Sequence, residues 1–115
     1  MEHRMNVRVP VSVDVGIEYP GNEFVPGQAD NVSFEGMYVR TDRSALPPYG
    51  FVRIAFIAHS RHRTARVQVP AIVVRRTSDG LGVMFTDYDD HVFEGLSHLM
   101  QGHFEEELER HALPR

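Results

Sequence analysis

The sequence predicts an all-β fold with a terminal helix, a six-stranded antiparallel barrel followed by a C-terminal α-helix. Three observations carry that expectation. The first strand-like run alternates apolar and polar residues with period two. Six short β-prone runs are separated by turn-forming residues at near-regular spacing, with no helical pattern between them. After Thr86 the apolar period changes to that of a helix. Closing the sheet removes exposed edges, a liability for an all-β chain of this length.

In the first run Val9, Val11, Val13, Val15, Ile17 and Tyr19 alternate with Pro10, Ser12, Asp14, Gly16 and Glu18, which makes a half-buried strand ending at the turn residues Pro20-Gly21-Asn22. A second strand is expected over Phe24 to Val32, bent or interrupted at Pro26-Gly27. Gly36 to Arg40 reads as the third. Pro47-Pro48-Tyr49-Gly50 is a tight connection into a fourth, Phe51 to Ala58, and the polar loop 59–63 leads into a long fifth, Ala65 to Thr77. Pro70 places that strand at an edge or a bulge, because proline has no N–H for the ladder. Ser78-Asp79-Gly80 supplies a hairpin turn into Leu81 to Phe85. Beyond it Val92, Phe93, Leu96, Leu99, Met100 and Phe104 form one helical stripe. Asp87, Asp89 and Asp90 are suited to its cap and first turn. Gly95 and Gly102 weaken this helix, so that fraying or a kink is expected near Gly102. The expected organisation is one domain over 1–115: an arm at 1–8, the barrel at 9–86 and the helix at 87–112.

All twelve basic residues are arginine, against sixteen Asp plus Glu, for a net charge of −4. Residues 1–78 carry ten arginines and seven acids, a balance of +3, and residues 79–115 carry two and nine, a balance of −7. The barrel can therefore hold a phosphate-bearing ligand, while the acidic tail argues against nucleic acid. The absence of cysteine excludes disulfide scaffolds and thiol chemistry. No apolar run approaches the roughly 18 residues of a membrane helix, and no signal peptide opens the chain, so a cytoplasmic protein with no membrane insertion is expected.

Nucleophile-elbow, phosphate-loop, dinucleotide and His-Glu-x-x-His patterns are all missing, and the seven histidines do not cluster with carboxylates. The expectation is a protein that is not an enzyme, with no metal and no cofactor. Two short patterns remain. Arg4-Met5-Asn6-Val7-Arg8 puts two guanidiniums four apart on the arm entering the first strand. Each guanidinium is a charged planar fork, able to hold a phosphate or the O6/N7 edge of guanine through two hydrogen bonds. Asn31-Val32-Ser33-Phe34-Glu35-Gly36 forms a turn between two strands, with Asn and Ser able to bond the local backbone and Gly36 permitting close approach or positive φ.

Taken in order, an Arg-x-x-x-Arg arm, a strand, and Asn-x-Ser-x-x-Gly some 23 residues later resemble the PilZ family of bacterial cyclic di-GMP receptors. Arg8-Val9-Pro10-Val11, the run from Ser33 to Val39, Pro48-Tyr49-Gly50, Ala71 to Arg75 and Gly80 to Phe85 are similar to elements of that family, across nearly the whole chain. The resemblance implies that Arg4 and Arg8 clamp the phosphates and guanine edges of cyclic di-GMP, and that Asn31, Ser33 and Gly36 make the base-side contacts. His3, Arg40 and Arg75 are candidates for additional contacts. Asn31 stands where the family frequently carries Asp. An amide offers one acceptor oxygen to guanine where a carboxylate offers two, which is expected to weaken binding by about 1 kcal/mol or more. Asp30, its neighbour on a regular strand, is expected to point the other way. His3 stands where many members carry a further arginine that favours a ligand dimer, which leaves one or two bound molecules open. The implied mechanism is a switch in which ligand pins the arm across the barrel and an unidentified downstream protein effector reads the rearranged surface. The chain itself is expected to be a monomer or weak homodimer. Two alternatives stand beside this reading: a PilZ-like protein-interaction module of type IV pilus assembly without nucleotide, and a small-barrel nucleic-acid binder.

Overall fold

A computed structural model describes residues 7–19, 24–41, 50–59 and 64–112, with side chains described as far as residue 101. Its elements are β1 (Val9–Glu18), β2 (Phe24–Val32), β3 (Gly36–Arg40), β4 (Phe51–His59), β5 (Thr64–Arg76), β6 (Gly80–Phe85) and α1 (Asp90–Ala112). Each strand begins and ends within one residue of the sequence expectation. All ladders are antiparallel, and the order β1-β2-β3-β6-β5-β4 closes as β4 returns to pair with β1. Residues 20–23, 42–49 and 60–63, where turns and a polar loop are expected, lie outside the described residues.

Strand alternation builds the interior. Val9, Val15 and Ile17 of β1 face inward with Met37 and Val39 of β3, Val52, Ile54 and Phe56 of β4, Val67, Val69, Ala71 and Val73 of β5, and Leu81, Val83 and Phe85 of β6. β-branched residues suit this lining because their stiff side chains pack well on a pleated surface.

Two local expectations are corrected. β2 runs without interruption through Pro26 and Gly27, and its irregularity comes later, between Ala29 and Asn31. Pro70 is not at a sheet edge, since β5 pairs on both sides, and the shift in β5 lies between Val73 and Arg75. The Pro70 carbonyl accepts from the Thr86 amide at 2.9 Å, one step past Ala71–Phe85, where the β6 ladder ends. The missing N–H falls at that ladder end, so it removes no bond the sheet needs.

α1 starts at Asp90, three residues later than expected, because Asp89 is the cap: its Oδ1 accepts from the Val92 amide at 2.8 Å and its carbonyl from the Phe93 amide at 3.0 Å. Val92, Leu96 and Met100 are buried against the barrel, where α1 meets β1, β4 and β5. Gly95 has a use the propensity argument did not foresee. A Cβ there would lie 2.7 Å from Val67 Cγ2, so the missing side chain lets the helix sit close on β5. The helix continues past Gly102 to Ala112. No helix among the described residues is long and apolar enough to cross a membrane.

Candidate functional site

The irregularity in β2 sets the geometry of the site. Ala29 and Val32 are both fully buried, and the extra residue between them leaves Asp30 and Asn31 together on the outer face. Asp30 meets Arg40 there, and Asn31 meets Arg8. The expectation that Asp30 points away from Asn31 is therefore overturned. It assumed strict alternation, and a bulge breaks alternation by one residue.

Arg8 and Asn31, 23 positions apart in sequence, come into contact: Arg8 Nη1 donates to Asn31 Oδ1 at 2.6 Å. They line one side of a cleft of about 420 Å³ whose other walls are Tyr38, Val74, Arg75, Gly82 and Val83. Its floor is a single lateral row. Asn31 pairs with Tyr38, Tyr38 with Gly82, and Gly82 with Arg75, across β2, β3, β6 and β5. Two guanidiniums thus converge on the cleft from opposite ends, with an amide and a phenol between them. The Arg75 side chain makes no hydrogen bond or ion pair among the described residues.

Ser33 and Gly36 act on the turn that carries Asn31. Ser33 is 1% exposed, and its Oγ accepts from the amides of Glu35 and Gly36 at 3.0 and 3.2 Å, while the Ser33 amide donates to the Gly36 carbonyl at 2.9 Å. The turn is thus closed by the Ser33 hydroxyl, whereas the Asn31 oxygen, also expected to bond the local backbone, accepts from Arg8 instead. At Gly36 close approach is the operative reason: a Cβ would lie 2.3 Å from the Val83 carbonyl oxygen, and φ is not in the left-handed region. Between them Phe34 stacks on Phe93 of α1, with centroids 4.7 Å apart and planes 12° from parallel. The turn is thereby tied to the helix.

Arg40 is not brought into the cleft. Its Nε lies 3.0 Å from Asp30 Oδ2, and its Nη2 donates to Asp30 Oδ1 and Gln28 Oε1 at 3.0 Å each. It lines a neighbouring cleft of about 610 Å³ with Pro26, Gly27, Gln28, Thr41, Ser78 and Asp79. Arg53 and Arg66 are likewise engaged, by Glu18 at 3.7 and 3.2 Å. Arg4 and His3 lie outside the described residues, as do the arm contacts expected of them.

Tyr38 is the polar lining residue that the sequence reading did not single out for this site. Its hydroxyl donates to Asp79 Oδ1 at 2.8 Å and lies 2.6 Å from Thr77 Oγ1, both on the β5–β6 turn. The Thr77 hydrogen bond favours the phenolate, but burial and the Asp79 carboxylate together outweigh it and hold the phenol above its usual range. Reciprocally, hydrogen bonds from Tyr38 and then Thr77 hold the Asp79 carboxyl below its ordinary value. A signal was present: Tyr38 lies two residues after Gly36, so alternation puts it on the same outer face, opposite the glycines of Gly80-Leu81-Gly82. Among the described residues no group of three or more His, Asp or Glu could hold a metal ion.

The sequence profile of the PilZ domain matches residues 2–102. No curated protein matches the sequence. Among solved structures, the PilZ domain of CeSA from a cellulose-synthesizing bacterium is similar with a TM-score of 0.69 at 18% identity, over 84% of this chain and 97% of that one. The PilZ domain of YcgR from Escherichia coli, solved with c-di-GMP, gives 0.72 at 12% identity over 95% and 97%. The Bacillus subtilis inhibitor of motility MotI/DgrA gives 0.72 at 18% identity over 96% of this chain and 54% of its own, so this chain spans about half of that protein. These likenesses extend the agreement in fold: a closed six-stranded antiparallel barrel with one C-terminal helix.

Proposed function

Because the chain belongs to the PilZ domain family, we propose that it is a cytoplasmic cyclic di-GMP receptor that binds the messenger at the Arg8–Asn31 cleft and signals to a protein partner without chemistry of its own. One observation carries the reading: Arg8 and Asn31, from the two separate motifs, meet at 2.6 Å on the rim of a cleft that also holds Arg75. The similarity to a YcgR domain solved with c-di-GMP supports the choice of ligand.

In this reading the Arg8–Asn31 bond is the resting state. Ligand phosphate draws the Arg8 guanidinium away, together with Arg4 of the arm, and the freed Asn31 oxygen turns to the N1–H or N2–H₂ of a guanine. A neutral amide releases Arg8 more readily than an aspartate would, since it carries no opposing charge and cannot form the two-oxygen pair of a carboxylate with a guanidinium. Asn31 therefore gives up one acceptor toward guanine and in exchange competes less for the clamp. Arg75 meets the ligand from the far end of the row, while Ser33 and Gly36 hold the turn in shape.

The test is isothermal titration with cyclic di-GMP on the wild type and on Arg8→Ala. Two lost charge-assisted hydrogen bonds amount to about 3 kcal/mol or more, a weakening of about 100-fold at least. The apo melting temperature should stay within about 2 °C, because Arg8 is exposed and makes one exposed hydrogen bond among the described residues. Equal affinities for the two proteins would refute the site, and no wild-type binding would refute the receptor reading.

A further inference from the structure

We propose that the Tyr38 ring is the stacking surface for one guanine of the ligand and that Gly82 is the gap that admits it. The inference rests on the receptor reading above and deepens it, since neither motif supplies a face for the base. Arg8, Asn31 and Arg75 offer charge and hydrogen bonds to phosphates and base edges. A purine also has two apolar faces, and among the described residues lining the cleft Tyr38 holds the one aromatic ring. Val74 beside it, an exposed side chain of β5, extends the apolar surface.

Position and spacing both fit. Tyr38 sits between Asn31 and Gly82 in the lateral row, with Arg75 next beyond Gly82. At the usual strand separation the row from Asn31 to Arg75 spans about 14 Å. Gly82 puts no side chain between Tyr38 and Arg75; a Cβ there would lie 3.5 Å from Arg75 Cβ, inside the space left open. The phenol end lies over Gly80, where a Cβ would come within 2.6 Å of Oη and 2.8 Å of Cζ. The two glycines of β6 thus do different jobs: Gly80 makes room for the ring, and Gly82 makes room beside it.

The ring is also held in place before any ligand arrives. Its hydroxyl is fixed by Asp79 at 2.8 Å and by Thr77 at 2.6 Å. A ring anchored at both ends has little rotamer freedom left to lose on stacking, and pre-organisation of that kind raises affinity. A purely structural role would make Tyr38 a strut for the β5–β6 turn through that hydroxyl. The two roles separate because the strut needs the oxygen and the stack needs the ring.

The experiment compares cyclic di-GMP binding by wild type, Tyr38→Phe, Tyr38→Leu and Arg8→Ala, with a melting curve for each, and records contacts between guanine H8 and the Tyr38 ring protons by NMR in the wild-type complex. Tyr38→Phe is expected to melt lower yet bind within threefold of wild type. Tyr38→Leu is expected to bind tenfold or more weakly, as loss of a base-stacking ring does. The wild-type complex is expected to show the H8-to-ring contact, with H8 shifted upfield. If Tyr38→Leu does not fold, that contact decides the question: its presence supports the proposal and its absence overturns it. Binding lost in Arg8→Ala but kept within threefold in Tyr38→Leu overturns the stacking role and leaves the receptor reading intact. A loss in Tyr38→Phe equal to that in Tyr38→Leu also overturns it, since the hydroxyl would then be the active part. No binding by the wild type overturns both.

Discussion

Replacing Gly36 with alanine adds one methyl group at the point where β3 meets β6. That methyl would stand 2.3 Å from the Val83 carbonyl oxygen, a backbone atom that cannot swing aside as a side chain would. Restoring ordinary contact requires the two strands to separate by about 1 Å, since carbon and oxygen atoms in contact sit more than 3 Å apart. The bonds strained by this are the amide of Phe85 to the Glu35 carbonyl at 2.9 Å and those closing the Ser33–Gly36 turn. Overpacking of this kind costs about 1–3 kcal/mol, and one or two weakened hydrogen bonds bring the total to about 2–4 kcal/mol. With an unfolding entropy near 2.1 cal/mol/K per residue, each kcal/mol is worth about 4 °C in a chain of this length, so Tm should fall by about 8–16 °C. Gly82→Ala is the matched control. Its methyl meets Arg75 Cβ at an ordinary 3.5 Å, and neither glycine lies in the left-handed region. There the loss of glycine's unfolded-state freedom should win, for a gain of about 0.4–1 kcal/mol, or about 2–4 °C. Thermal melts followed by circular dichroism report both. A Gly36→Ala protein that melts within 2 °C of wild type, or a Gly82→Ala protein that melts below it by more than the Gly36 variant, would show that the β3–β6 spacing does not limit the fold.

Two further outcomes follow from the same geometry. Phe34→Leu removes the stacked pair, worth about 0.5–1.5 kcal/mol, so hydrogen exchange in the first turns of α1 should speed up severalfold while the amides of β4 and β5 keep their protection; unchanged exchange in α1 would mean the stack does not hold the helix. Asp79 has a lowered pKa in the folded state, so its contribution is complete above the unfolded carboxylate value of about 4 and is lost as pH falls through its lowered folded value. Melts of wild type and Asp79→Asn should therefore differ near neutral pH and converge in acid. The neutral Tyr38 phenol behaves in the opposite sense, with its contribution present below pH about 10 and lost as pH rises through its raised value.

Strands were the most legible part of the sequence, because alternation of β-branched residues is a signal written locally. Val9 to Ile17 can be read without knowing what β1 pairs with. The helix was legible for the same reason, through Val92, Leu96 and Met100. Features that depend on two strands at once were not. The shift at Asp30 shows only when β2 is paired with its neighbours, β3 and β1, and without it the outward direction of Asp30, and hence the capture of Arg40, cannot be foreseen. Gly95 reads as a helix breaker on propensity, yet its value lies in contact with Val67, 28 residues away. In the cleft, Arg8 and Asn31 were legible as short motifs, and Arg75 followed as a candidate. Tyr38 was not assigned to the cleft, since its place there depends on its pairing with Asn31 and Gly82 and on a hydroxyl bonded to a turn some 40 residues on. Ser33 was found as part of a motif, but its buried hydroxyl serves the turn.

The Phe34–Phe93 stack joins the turn after Asn31 to the first turns of α1, and a joint of that kind works in both directions. If filling the cleft changes how tightly Phe34 is held, it changes by the same free energy how readily α1 leaves the barrel. If the cleft binds cyclic di-GMP as proposed, a protein that grips the helix alters that affinity by the factor by which the ligand alters the grip. Affinity measured on the isolated chain would in that case be only one corner of a thermodynamic square. On the proposed reading, the apparent set point in a cell would be fixed partly by the abundance of whatever competes with the barrel for α1.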